Sequence, residues 1–122
     1  MSTILVIEDD GRVQDSITDL LETKNYNVLK AQNGKDGIQM AIDHKPDLIL
    51  CDIMMGSLNG FSVLHSIREL PEVQSTPFIF LSALAEQKYV KMGLEKGADK
   101  YLTKPFKSEE LFLAIHELLT KS

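Results

Sequence analysis

The chain has 122 residues, 43% of them hydrophobic and 25% charged, with a formal net charge of −5. That length suits one domain, residues 1–122, able to bury roughly two thirds of the surface its unfolded chain exposes. The acidic balance argues against direct nucleic-acid binding, and the single cysteine, Cys51, excludes an internal disulfide. No stretch approaches the ~18 apolar residues of a membrane span, and no basic region followed by an apolar one opens the chain. Neither membrane association nor secretion is expected, which leaves the cytoplasm.

Thr3 to Ile7 is a β-branched apolar run ending in Glu8-Asp9-Asp10-Gly11. Val13, Ile17, Leu20 and Leu21 then recur at helical spacing and predict a first helix over about 11–24. Tyr26 to Ala31 reads as a second strand. Asn33 can cap a helix with Ile38, Ala41 and Ile42 on one face. Pro46 breaks what precedes it, and Leu48, Ile49, Leu50 and Cys51 make a short apolar strand buried on both faces. In this setting Cys51 is a small core residue rather than a reactive thiol. Asp52 follows at once, then a loop to Gly60. Phe61, Leu64 and Ile67 mark a third helix that ends near Pro71. After Pro77 the run FIFL predicts a fourth strand leading into Ser82-Ala83. Val90, Gly93, Leu94 and Gly97 line a fourth helix, whose glycines imply close packing or weakness. A strand near 99–102 runs into Thr103-Lys104-Pro105-Phe106. Ser108, Glu109 and Glu110 start a last helix with Leu111, Ala114, Ile115, Leu118 and Leu119 inward.

Five βα units in alternation predict an α/β fold: a doubly wound parallel sheet with right-handed crossovers, in the flavodoxin-like order 2-1-3-4-5. Strands one and three are then neighbours. Glu8, Asp9 and Asp52 meet at the crevice beyond the carboxyl ends of the strands, where open α/β sheets bind ligands. Carboxylates crowded together repel and raise one another's pKa, and a divalent cation relieves this. Oxygen ligands without clustered Cys or His point to Mg²⁺ or Mn²⁺ rather than zinc. His44, His65 and His116 are scattered and read as surface residues. Such a carboxylate shell normally awaits a phosphate oxygen. Lys104 can pair with Asp52 or a phosphoryl oxygen, and its bond to Pro105 can be cis. Ser82 can donate a hydroxyl hydrogen bond to the same group.

Together, IEDD at 7–10, Asp52 in CDIMM, Asn59-Gly60, LSA at 81–83 and YLTKPF at 101–106 resemble the receiver domain of bacterial two-component response regulators, including the chemotaxis regulator. The resemblance covers essentially the whole chain. It implies that Asp52 is the phosphoacceptor, that Glu8, Asp9 and Asp52 hold Mg²⁺, and that the Met54 carbonyl completes the protein ligands. It also implies that Ser82 and Lys104 bind the phosphoryl group and that Tyr101 is the switch aromatic, outward or mobile without phosphate and buried with it. Asp10 is expected beside the site or as a helix cap. The implied partners are a sensor histidine kinase or phosphotransfer protein, a downstream output domain or protein, and a second copy through helix four, strand five and helix five. Two departures stand out. Gly56 replaces the Pro common four residues after the phosphoacceptor, which leaves that loop less restrained. Asn59 replaces the frequent Asp before Gly60, a mild change between turn formers.

Expected is a signalling switch that catalyses its own phosphorylation, not a conventional enzyme. Met54 and Leu84 flank the path of a hydrolytic water in the receiver architecture, and this apolar pair implies slow self-dephosphorylation. Three rivals fit less well. A haloacid-dehalogenase-type enzyme needs a second Asp where Met54 stands. A flavin carrier needs a Ser/Thr/Gly-rich phosphate loop after strand one. A phosphorylation-dead module would be expected to lack Asp9, Asp52 or Lys104. The chain ends soon after the fifth helix, which suits a stand-alone regulator, a phosphorelay intermediate or a receiver from a longer protein.

Overall fold

A computed structural model describes residues 1–120. The elements alternate: β1 (Thr3–Ile7), α1 (Gly11–Glu22), β2 (Asn27–Ala31), α2 (Gly34–His44), β3 (Leu48–Cys51), α3 (Gly60–Glu69), β4 (Phe78–Ser82), α4 (Gln87–Glu95), β5 (Lys100–Thr103) and α5 (Ser108–Leu119). All strand pairs are parallel, in the order β2-β1-β3-β4-β5 expected from the sequence.

Alternation of side chains along each strand divides the core in two. Leu5, Ile7, Ile49, Cys51, Phe78 and Phe80 face one side, against Ala41 of α2 and Val63, Leu64 and Ile67 of α3. Ile4, Val6, Leu48, Leu50, Ile79 and Leu81 face the other, against Ile17 and Leu21 of α1 and Leu111, Ala114 and Ile115 of α5. The central strands β3 and β4 are buried at every residue, whereas edge strand β5 is half-buried throughout.

Side chains set several helix boundaries. Asp10 Oδ1 accepts hydrogen bonds from the Arg12 and Val13 amides at 3.0 and 3.4 Å, so Asp10 caps α1. Asn33 caps α2 through the Asp36 amide at 2.8 Å, as its sequence position implied. Asn59 caps α3 through the Ser62 amide at 3.0 Å. Asn is among the strongest N-cap residues, so this role accounts for Asn59 better than turn preference does. The fourth helix is shorter than its glycine pattern implied. Gly97 lies beyond it at φ 115°, a backbone conformation that suits glycine, and Gly93 is its one buried residue.

Arg68, at the end of α3, ties the opposite edge of the fold together. Its guanidinium donates to the carbonyls of Gln74, Thr76 and Gly97 at 2.7–3.2 Å and to Asp99 Oδ2 at 3.2 Å. The same Asp99 oxygen accepts from the Phe78 amide at 2.8 Å. One side chain thus joins the segments that enter β4 and β5. Its fork of donors permits this, where a Lys would act as a single point charge.

Candidate functional site

The register of the sheet brings the acidic residues together. Ile7 of β1 lies beside Cys51 of β3, and the Asp52 amide donates to the Ile7 carbonyl at 3.1 Å. Glu8 and Asp52 therefore leave adjacent strand ends side by side. One carboxylate oxygen from each of Glu8, Asp9 and Asp52 lies within 4.8 Å of the other two. Glu8 and Asp52 are buried, at 3% and 8% exposure, while Asp9 is exposed. Asp52 Oδ1 accepts from the Ile53 amide at 2.7 Å.

Gly60 fixes the loop that follows. A Cβ there would stand 2.3 Å from the Asp52 carbonyl oxygen and 2.8 Å from Ile53 Cα. Only a residue without a side chain lets α3 start this close to Asp52.

On the other side, β4 and β5 deliver the basic and hydroxyl groups. Ser82 pairs with Thr103, and the Lys104 amide donates to the Ser82 carbonyl at 2.8 Å. Lys104 Nζ reaches Glu8 Oε2 at 3.2 Å and Asp52 Oδ2 at 3.6 Å. The Lys104–Pro105 bond is cis. Burial, followed by the neighbouring Asp52 charge, raises the Glu8 carboxyl pKa to about 7, although Lys104 opposes the rise. One ammonium thus leaves the buried carboxylates under-compensated.

A second group lies next to the first. Ser82 is fully buried, and its Oγ accepts from the Leu84 amide at 3.1 Å. The Tyr101 hydroxyl donates to the Leu84 carbonyl at 2.5 Å. The Tyr101 ring is half-buried, 5.9 Å from Phe80 between centroids. The ring therefore packs partly inward. The reason is Gly93: a Cβ there would come within 3.1 Å of both the Phe80 and the Tyr101 rings, so its absence makes room for the inward ring. Leu84 packs its side chain against the core, whereas Met54 is 61% exposed.

Beside Lys104 a shallow groove of about 360 Å³ opens between α1 and the β5–α5 loop, lined by Val13, Ile17, Leu20, Pro105 and Phe106. No helix among the described residues is long and apolar enough to cross a membrane.

Two contributors escaped the sequence reading. Gln14, 2% exposed, lies on the inward face of α1 with Ile17, Thr18 and Leu21. The expected apolar stripe ran through Val13 and Leu20 instead, both only half-buried. The available signal was a polar side chain at the 14, 17, 18, 21 positions of one helical face. Arg68 carried no such signal, because most of its partners are backbone carbonyls, which no side-chain pattern marks, and its one side-chain partner, Asp99, lies 31 residues on.

Comparison with known proteins gives the arrangement its context. Residues 4–116 match the family described as the response regulator receiver domain. The chain is 35% identical over 122 residues to the DNA-binding dual master transcriptional regulator RpaA of Synechocystis, covering all of this chain and 51% of that protein. It is 37% identical over 121 residues to the response regulator ArlR of Staphylococcus aureus, covering 99% of this chain and 54% of that one. The chain thus spans about half the length of these curated relatives. A putative response regulator from Chloroflexus aurantiacus superposes with a TM-score of 0.94 at 28% identity, over 98% of each chain. The receiver domain of a sensor histidine kinase from Pseudomonas aeruginosa, solved with a magnesium ion coordinated in its active-site cleft, superposes with a TM-score of 0.91 at 30% identity, again over 98% of each chain. By its match over nearly the whole sequence, the chain belongs to the family of response regulator receiver domains of two-component signalling.

Proposed function

We propose that this single domain is a phosphorylation-activated switch in which Asp52 accepts a phosphoryl group from a phosphohistidine in a Mg²⁺-dependent reaction. The observation that carries the reading is the convergence of Glu8, Asp9, Asp52 and Lys104, drawn from three strand ends. The donor set suits Mg²⁺: it is all oxygen, and carboxylate oxygens of Glu8, Asp9 and Asp52 converge within 4.8 Å of one another with the single ammonium of Lys104 beside them. Glu8, Asp9, Asp52 and the Met54 carbonyl would hold the ion. When bound, it neutralises charge on the transferred group.

Asp52 is the nucleophile. Its Oδ1 is fixed by the Ile53 amide, and its Oδ2 faces Lys104. Attack forms the Asp52 oxygen–phosphorus bond as the bond from phosphorus to the histidine nitrogen breaks, and the leaving imidazole keeps that electron pair. Lys104, released from Glu8 and Asp52, pairs with a phosphoryl oxygen. Positioning and charge compensation supply most of the acceleration in such transfers. The groove beside Lys104 suits the helical surface of a kinase or phosphotransfer partner presenting its phosphohistidine.

The switch follows from Ser82. Its hydroxyl is buried and accepts from the Leu84 amide, which leaves its proton to donate to a phosphoryl oxygen, and drawing Ser82 toward that oxygen rearranges the β4–α4 loop bonded to it. Leu84 also holds Tyr101, so the rearrangement passes to β5 and to α4, which is anchored by little apolar burial. The altered α4–β5–α5 surface then engages an output domain, a partner protein or a second copy. The test is a ¹⁵N amide spectrum before and after a small acyl phosphate is added with Mg²⁺. Shifts spreading from Asp52 through residues 82–84 to α4 and β5, and absent in Asp52→Asn, are expected. Shifts confined to the surroundings of Asp52 would contradict the switch.

A further inference from the structure

Gln14 is a buried polar residue where helix α1 meets the carboxyl ends of both β1 and β2. Its Nε2 donates to the Val6 carbonyl at 3.1 Å and to the Ala31 carbonyl at 2.8 Å. Ala31 is the last residue of β2, and its carbonyl also accepts from the Glu8 amide at 3.0 Å. One oxygen therefore joins the Gln14 side chain to the backbone of Glu8. The helix delivering the amide is itself held, by Asp10 at its start and by the Thr18 hydroxyl, which donates to the Gln14 carbonyl at 2.8 Å.

We infer that Gln14 is a positioning residue for the metal-binding carboxylates: its amide locks the last rung between β1 and β2, and with it the backbone from which Glu8 and Asp9 project. This rests on the reading that Glu8, Asp9 and Asp52 hold Mg²⁺. β2 is an edge strand with a neighbour on one side only, so its carboxyl end lacks support from a second strand. Mg²⁺ requires near-octahedral oxygens at about 2.0–2.1 Å, and small drifts of a ligand's backbone are felt in affinity. Filling space would need only an apolar side chain of similar length. Gripping two carbonyls on different strands needs the two N–H donors of an amide.

The test is Mg²⁺ titration of the full chain, followed calorimetrically at a temperature where each protein is folded. Gln14→Met keeps the length and removes the donors. Its Mg²⁺ dissociation constant should rise about 3- to 10-fold, below the ~10–100-fold cost of losing a direct partner of a metal ligand. Arg68→Met, which removes hydrogen bonds at the far end of the sheet, should lower stability and leave the Mg²⁺ affinity unchanged. Should Gln14→Met not fold, the wild type carries the test. The buried Gln14 side-chain NH₂ signals should move as Mg²⁺ saturates, while those of exposed Gln39, paired with Asp43, stay fixed. A folded Gln14→Met with wild-type affinity, or a Gln14 amide unmoved by saturating Mg²⁺, overturns the positioning role alone. A wild type without saturable Mg²⁺ binding overturns the metal reading, and the positioning role with it.

Discussion

Glu8 should make the metal-free protein less stable as pH rises through neutrality. Burial and the Asp52 charge raise its carboxyl pKa from the ordinary 4.5 to about 7. The folded state then keeps a proton that the unfolded chain has released, so folding is favoured below pH 4.5 and this contribution is lost between 4.5 and about 7. A shift of that size corresponds to about 3 kcal/mol. Urea denaturation in chelator, from about pH 5 to about pH 8, should show wild type falling relative to Glu8→Gln, whose amide keeps the shape and cannot ionise. The difference between the two proteins should change by up to about 3 kcal/mol and level off above pH 7. Saturating Mg²⁺ should reverse the trend, because the ion binds the deprotonated cluster of the folded state alone. A difference between wild type and Glu8→Gln that stays constant with pH in chelator would refute the crowded-carboxylate account.

Gly60→Ala should cost at least about 2 kcal/mol, because its Cβ meets backbone atoms of Asp52 and Ile53 that cannot move aside cheaply; chemical denaturation measures this, and the variant should also label more slowly at Asp52. Arg68→Ala should cost about 1–2 kcal/mol, chiefly through the part-buried Thr76 carbonyl, since water can re-pair the exposed ones, with the initial rate of phosphorylation by an acyl phosphate unchanged in the folded variant. Met54→Asn combined with Leu84→Glu should speed loss of the phosphoryl group by roughly 10-fold, short of the ~10²–10⁴ of a well-placed general base. Decay of phosphorylated protein in excess Mg²⁺, with the phosphodonor removed, decides it; an unchanged rate would mean that these side chains do not control the approach of water.

Much of the sheet was legible because its signals are local. Apolar runs of four or five residues bounded by Pro, Gly or acidic turns marked the strands. Alternation with helices then fixed a parallel sheet and a crevice, and the acidic residues at strand ends fell into it. Asn33 was legible as a cap because its carboxamide acts within three residues. Contacts between distant segments were hidden. The inward Tyr101 depends on space left by Gly93, a helix away. Gln14 grips two strands through backbone carbonyls, which leave no trace in side-chain pattern. Arg68 does the same at the other end of the sheet. Leu84 was legible as an apolar residue near the crevice, but the hydrogen bonds of its backbone to Ser82 and Tyr101 were not.

The most direct test is where a phosphoryl group lands. The protein is incubated with a small acyl phosphate, with Mg²⁺ or with chelator, and its intact mass and acid-stabilised peptides are measured. The account requires one added phosphoryl group, mapped to Asp52, formed with Mg²⁺ and abolished by chelator or by Asp52→Asn. Labelling at another residue, or equal labelling of Asp52 in chelator, would contradict it.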